Sequence, residues 1–391
     1  MNQIGKVLLV DRSPRALYYF EKAEDLAKAT AYIPGQLQAL HQMGLYYEHL
    51  QKFDNAIVKY DEARQLAEKQ KDVNWIASLL HRIARNYQKL NDRERSIYFF
   101  FKASQLYEQI GDNAQEARSL YPIAEAFYDL GNYNKALRYY SETMRLARVA
   151  KDSALLVSTL KNLGMAHNQV GHYQQAEIYL KESLEIAQDH HDNHRVAKIY
   201  NALGAVYNNL EKYDKARDYA VQALRVAKSD PELISQAYDV IADIYLRQQL
   251  FFEALEHQKI ALQYIRNTPK PGKVVYQYLK ISDIYSEMQD YKNALLYHQL
   301  YTSLQDSLRN QHTMEAIYKS ELQYQTEKKE IEISELKNQK KIQEEKLQLR
   351  RILNYSLMMG LIIILMFTFF STEVINDTSK PTICLSKATT R

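Results

Sequence analysis

The chain has 391 residues, 25% of them charged and 46% hydrophobic, and its 51 Lys and Arg against 47 Asp and Glu leave a formal charge of +4. That small balance leaves no basic footprint for nucleic acid, and a single cysteine, Cys384, excludes a disulfide framework and a cysteine-based zinc module. With 32 Tyr but only 10 Gly and 7 Pro, breakers are too scarce for a β-sandwich or a Rossmann-type domain, and an almost wholly helical, all-α chain is expected.

A period of about 40 residues organises the chain from its start. Small residues preceded by aliphatics recur at Gly44, Ala84, Ala124, Gly164, Gly204, Ala242 and Ser282, in steps of 40, 40, 40, 40, 38 and 40. Three residues after each stands Tyr47, Tyr87, Phe127, His167, Tyr207, Tyr245 or Tyr285, and twelve after each stands Ala56, Ser96, Ala136, Ala176, Ala216, Ala254 or Ala294. Spacings of this kind place side chains on one face of a helix. The small residue lets a second helix approach closely, and the aromatic fills the space beside it. Asp72, Asp112, Asp152 and Asp192 also fall 40 apart and read as N-caps, with Asp230-Pro231 a variant that puts Pro at the first helical position. At the N-terminus, "KVLLVDRSP" (6–14) resembles the first strand of a receiver domain, but no doubly wound pattern follows it. Ala16, Phe20, Ala23 and Leu26 match Ala56, Tyr60, Ala63 and Leu66 one unit later, so the chain is expected to begin inside a repeat, with Ile4-Gly5 left from its first helix. Val7–Val10 is too short for the apolar core of a secretory signal.

On these residues the chain resembles the tetratricopeptide repeat (TPR) family. Its pattern Leu-Gly-x-x-Tyr … Ala-x-x-x-Tyr stands here as Leu163-Gly164, Leu203-Gly204-Ala205-Val206-Tyr207 and Ala136…Tyr140. The resemblance implies a superhelical solenoid of antiparallel helix pairs over residues 1–305: one partial repeat and seven full ones, each longer than the usual unit of about 34 residues. Departures are His167, Ala220, Gln258 and Pro122, the last expected to kink its helix or shift its start.

Residues 306–351 read as one long coiled-coil-like helix. Eleven-residue steps (Leu322/Ile333, Ile331/Ile342/Leu353, Leu336/Leu347) fit it better than heptads and imply a nearly straight or slightly right-handed coil, through which a homodimer would form. Nine Lys and Arg against seven Glu in 319–351 make it no DNA-binding region. Ile352–Phe370 is nineteen residues without a charge, and the reading is a transmembrane helix over 352–372, followed by a short disordered tail over 373–391. The layout resembles bacterial sensors in which a TPR array, a coil and a membrane helix precede a histidine kinase or a helix-turn-helix effector. The resemblance implies the sensor half of such a protein, at the bacterial plasma membrane as a single-pass chain, with its effector absent. Six Lys and Arg on the N-side of the span against three on the C-side favour the repeats in the cytoplasm, whereas the family layout favours the outside.

No phosphate loop, nucleophile elbow or kinase signature occurs, so no catalytic residue, cofactor or metal is expected and the chain reads as no enzyme. Asp189-His190-His191-Asp192-Asn193-His194 resembles a metal cluster, but it occupies an inter-repeat turn in the capping register. An alternative, a TPR-type response-regulator phosphatase, would need a separate N-terminal helical bundle. The expected ligand is a protein or peptide segment in the concave groove. Groove-facing positions in repeats four and five are Lys161, Asn168, Gln169, Asn201, Asn208 and Asn209. Their carboxamides would donate to and accept from a peptide backbone, and Lys161 would attract a carboxylate.

Overall fold

The computed structural model describes Gly5, residues 15–308, Lys329, residues 333–350, and Asn354, Met358, Met359 and Met366. Contacts divide the chain into two units, Met1–Tyr324 and Gln325–Arg391.

Among the described residues of the first unit, fifteen helices follow one another from Arg15 on: α1 (Arg15–Ala29), α2 (Ile33–His49), α3 (Phe53–Lys69), α4 (Val73–Lys89), α5 (Arg93–Ile110), α6 (Asn113–Asp129), α7 (Tyr133–Val149), α8 (Ser153–Gln169), α9 (Tyr173–Asp189), α10 (Asn193–Asn209), α11 (Tyr213–Ala227), α12 (Pro231–Arg247), α13 (Phe251–Ile265), α14 (Pro271–Glu287) and α15 (Tyr291–Leu308). The sequence period is the sum of their lengths. Two 17-residue helices and two three-residue turns make 40, as from α8 through α9. The one 38-residue step arises because α11 has 15 residues. Its successor in the next repeat, α13, also has 15, but a longer turn before α14 restores the 40.

Several of the short turns do two jobs. In the turn after α3, Lys71 adopts φ +55° and Asp72 N–H donates to Ala67 O at 3.1 Å, closing a Schellman-type end. The Asp72 carboxylate then accepts from Trp75 N–H at 3.1 Å and opens α4. Asp112, Asp152 and Asp192 cap α6, α8 and α10 in the same way, as the 40-residue spacing predicts, and Asp92 and Asn132 cap two of the second helices. Most of these left-handed positions are held by Gln, Asn, Lys, Glu or His; Gly serves at Gly111, Gly131 and Gly171. That explains how a chain with so many turns carries so few glycines. Pro122 neither ends α6 nor moves its start, which stays in register behind the Asp112 cap.

The core is the repeat pattern made solid. A Cβ added at Gly164 would lie 2.7 Å from Leu180 Cγ and 3.1 Å from Ala176 O, so the residue must be small for α8 and α9 to touch. Where the facing residue shrinks to Ala220, Val240 from the next repeat fills the space over Gly204, 2.9 Å from an added Cβ. Ser282 takes the small position in α14 and satisfies its hydroxyl by donating to Ala294 O at 2.9 Å. Near the start of the sequence, helical Gly5 meets the ring of Phe20 as Gly44 meets that of Tyr60. The recurring aromatic has a partner that spacing alone did not reveal. Tyr87 stacks on Phe99, Phe127 on Tyr139, His167 on Tyr179, Tyr207 on Tyr219 and Tyr285 on Tyr297, with ring centroids 5.3–5.7 Å apart. Each stack joins the first helix of a repeat to its second and adds about 0.5–1.5 kcal/mol beyond area burial.

In the second unit, residues 333–350 are helical and every one of them is exposed, including Ile333, Leu336, Ile342, Leu347 and Leu349. The expectation of a transmembrane helix, and with it of single-pass membrane localisation and of a membrane partner for Ile352–Phe370, is corrected: among the described residues no helix is long and apolar enough to cross a membrane. An uncharged composition does not by itself make a span, which needs one continuous apolar helix. Of 352–372 the described residues are Asn354, Met358, Met359 and Met366, and the rest of the stretch lies outside them. The tail over 373–391 and the first part of the coil, 309–328, lie outside them.

Candidate functional site

Beyond consecutive neighbours, α6 touches α8, α8 touches α10, and α10 touches α12. First helices of successive repeats therefore line up into one wall, and polar residues that break their apolar faces meet across it. Arg82 and Asn86 of α4 both reach Glu48 of α2, at 3.3 and 2.7 Å. Asn162 of α8 donates to Tyr121 Oη (2.8 Å) and Glu125 (3.4 Å) of α6. Asn209 of α10 donates to Asn168 Oδ1 of α8 at 2.9 Å and accepts from Arg247 of α12 at 2.6 Å. Lys280 of α14 pairs with Asp243 of α12 at 2.7 Å.

The six residues expected to face a ligand are placed unequally on this wall. Asn168 and Asn209 are joined directly. Asn201 is buried and donates to Leu233 O at 3.3 Å, while Asn208 is buried with its Oδ1 unpartnered. Gln169 is exposed and bonds the Tyr128 hydroxyl. Lys161 stands apart from the other five in a cavity of about 450 Å³, a volume in the range of small-ligand sites. Arg93, Glu125, Asp129, Asn162 and Lys273 line the same cavity.

The electrostatics there follow from burial. Loss of hydration, reinforced by Lys198, pushes the Lys161 ammonium down to about 8, with Glu125 opposing. Burial raises the carboxyl of Glu125, against the hydrogen bond from Tyr121, and that of Asp129, against Arg93 and Lys273. Farther along, burial and neighbouring Asp243 push Asp239 up to about 6, with Lys280 opposing. Gln258, fully buried at the position of Tyr60, Phe100 and Tyr140 in earlier repeats, donates to Asp239 Oδ1 at 2.9 Å and also to Gln277. This departure from the aromatic pattern thus answers a buried carboxyl on the neighbouring helix.

Sequence reasoning missed Tyr121, Asn162, Glu125, Asp239 and Asp243. For four of them the signal was available: Tyr121 and Asp239 stand three residues before their small anchors, as Lys161 and Asn201 do, and Glu125 and Asp243 stand one after. Lys273 had none: it reaches the cavity because the wall curves, and curvature is a property of stacked repeats. The residues of the metal-like cluster serve the turn: Asp192 caps α10 and pairs with Arg195 at 2.6 Å, and His194 lies 3.2 Å from Asp230.

Fold and wall together define an all-α helical-repeat solenoid. Family models described as tetratricopeptide repeat match residues 35–109, 115–189 and 196–229. Over these stretches the chain carries tetratricopeptide repeats. Among solved structures it is similar to the apo form of RapI (TM-score 0.60, 17% identity, covering 70% of this chain and 98% of that one). It is also similar to aspartyl phosphate phosphatase F from Bacillus subtilis (TM-score 0.58, 16% identity, 72% and 73% covered) and to the apo quorum sensor NprR from B. thuringiensis (TM-score 0.58, 20% identity, 78% and 86% covered). At these identities the likeness is one of fold. No curated protein sequence matches the chain.

Proposed function

We propose that the solenoid is a binding module for a peptide or protein segment, held along the wall of first helices as part of a signalling system. The observation that carries this reading is a continuous polar wall in an otherwise apolar helical array. It combines carboxamides spaced over successive repeats with a cavity whose Lys161 ammonium has no hydrogen bond or ion pair among the described residues. An extended segment needs donors and acceptors at intervals for its backbone, and Asn supplies both. Likeness in fold to a quorum sensor supports a signalling role, and likeness to a phosphatase keeps the catalytic alternative as a second reading. Binding is favoured because the polar groups are distributed along the wall instead of converging on a nucleophile and base. Self-association through the exposed apolar residues of the 333–350 helix belongs to the same proposal, and sedimentation of the chain with and without Leu336→Glu tests it.

The principal test is affinity selection from a random peptide library with the full chain and with the Gln169→Ala/Asn209→Ala variant, which changes wall carboxamides that reach solvent. Retention of peptides by the first and their loss by a variant of unchanged helical circular dichroism is the expected result. Equal retention by both, or none by either, refutes the reading.

A further inference from the structure

Two departures from the repeat pattern fall in the same repeat and meet. His167 stands where the other repeats carry Tyr or Phe, and His172, the residue before α9, stands where they carry Lys, Asp, Asn or Leu. The backbone brings the two together. The turn after α8 is a Schellman end: Gly171 adopts φ +81°, its N–H donates to Asn168 O at 3.2 Å, and His172 N–H donates to His167 O at 2.9 Å. In that motif the first and last of six residues set their side chains side by side, commonly in an apolar contact. Here the contact is between two imidazoles, with their Nδ1 atoms 3.4 Å apart and their ring centroids 5.7 Å apart. Tyr179 of α9 stacks on His167, with centroids 5.4 Å apart and 21° between the planes, and so fixes the plane of that ring. His172 does not use its side chain to cap α9, and among the described residues neither ring has a hydrogen bond beyond the one they share. Burial, and then the neighbouring His172, hold His167 below the ordinary histidine value, which keeps its imidazole neutral near pH 7.

We propose that His167 and His172 form a binding site for a divalent cation of the zinc type, held by the Nδ1 atom of each ring. The spacing selects the metal. Two nitrogens about 2.0–2.1 Å from Zn²⁺ and separated by a tetrahedral angle lie about 3.3–3.4 Å apart, which is the separation the turn already sets. Adjacent nitrogens of a square-planar site at the same bond length would lie about 2.8–2.9 Å apart, and Mg²⁺ and Ca²⁺ take oxygen ligands. Among the described residues no group of three or more His, Cys, Asp and Glu is placed to close around an ion. Two of four tetrahedral positions are therefore left to water or to a donor from another molecule. The stretch 189–194 is richer in such residues but offers no comparable pair, because Asp192 is committed to the α10 cap and His194 faces Asp230. The site stands independently of the peptide-binding reading.

The test follows the imidazole Hε1 NMR signals of the full chain, first freed of metal with a chelator, as ZnCl₂ is added at pH 7. His167→Tyr and His172→Asn introduce the residues that stand at the same positions in other repeats, Tyr207 and Asn132, so both variants should fold, which circular dichroism checks. Each variant also assigns the signal of the ring that it removes. In the wild-type chain the two signals are expected to shift together, before those of the remaining histidines. In either variant the surviving ring should need about a hundredfold more Zn²⁺, because the second nitrogen of a chelating pair binds at a high effective concentration. A surviving ring that shifts at the wild-type Zn²⁺ concentration overturns the site. So does a pair that shifts no earlier than the other histidines, or one that responds equally to MgCl₂.

Discussion

Replacing Lys161 with Met should make the solenoid more stable, and the gain should depend on pH in a way that identifies the charge as its cause. Burial and the neighbouring Lys198 hold the ammonium at about 8, against an ordinary lysine value of about 10.5. At about 1.4 kcal/mol per pH unit, keeping it charged at pH 7 costs up to about 3 kcal/mol; part of the side chain meets solvent, so about 2–3 kcal/mol is expected. Met has a similar length and no charge, so the variant removes this cost while keeping most of the packing. The sign follows from the folded value lying below the unfolded one. Below pH 8 both states hold the proton and the whole cost is present. Between pH 8 and about 10.5 the unfolded chain binds a proton that the folded chain has released, so wild-type stability rises with pH relative to the variant. The advantage of Lys161→Met should therefore fall to about half by pH 9.5. Urea unfolding followed by circular dichroism at pH 7 and 9.5 measures it, and subtracting the wild-type curve cancels the ionisation of the many tyrosines. A variant less stable than wild type at pH 7, or a gain that does not change with pH, would refute the reasoning.

Three further outcomes follow from the packing. Gly164→Ala should lower stability by about 1–2 kcal/mol, because overpacking against Leu180 and the Ala176 carbonyl outweighs the better helix propensity of Ala; a rise of about 1 kcal/mol in the urea-unfolding free energy would mean that the close approach is unimportant. Glu211→Gly, at a turn position with φ +58°, should raise the thermal midpoint by the equivalent of about 0.5–1 kcal/mol, and an unchanged or lower midpoint would contradict the strain assigned to that turn. Asp239→Asn should stabilise the chain at pH 7 by about 1–3 kcal/mol. With the folded carboxyl raised to about 6, its contribution is present below pH 4 and lost as pH rises to 6, so the gain should vanish in unfolding experiments near pH 4.

How much of this molecule was legible in the sequence depends on whether a feature is local or cumulative. The repeat, its caps and its small anchor residues are local. Asp72, Asp112, Asp152 and Asp192 announce helix starts because a cap needs only the three residues after it. Gly164 and Gly204 announce helix contacts because a missing Cβ serves wherever the partner helix comes from. Their recurrence every 40 residues, two 17-residue helices and two turns, determined the all-α solenoid and its TPR character. The stretch 352–370 shows the opposite case: an uncharged composition alone suggested a membrane helix, and no such helix occurs among the described residues.

The tertiary structure decided which polar residues meet. Side chains that one helical face presents as equivalent divide into a joined pair (Asn168 and Asn209), buried carboxamides (Asn201 and Asn208) and an ammonium in a cavity (Lys161). That division depends on the rotation accumulated from one repeat to the next, which brings Lys273 to the same cavity as Lys161 and Arg93. Each step of that rotation comes from the packing of whole helices, and no spacing within a single repeat encodes the sum.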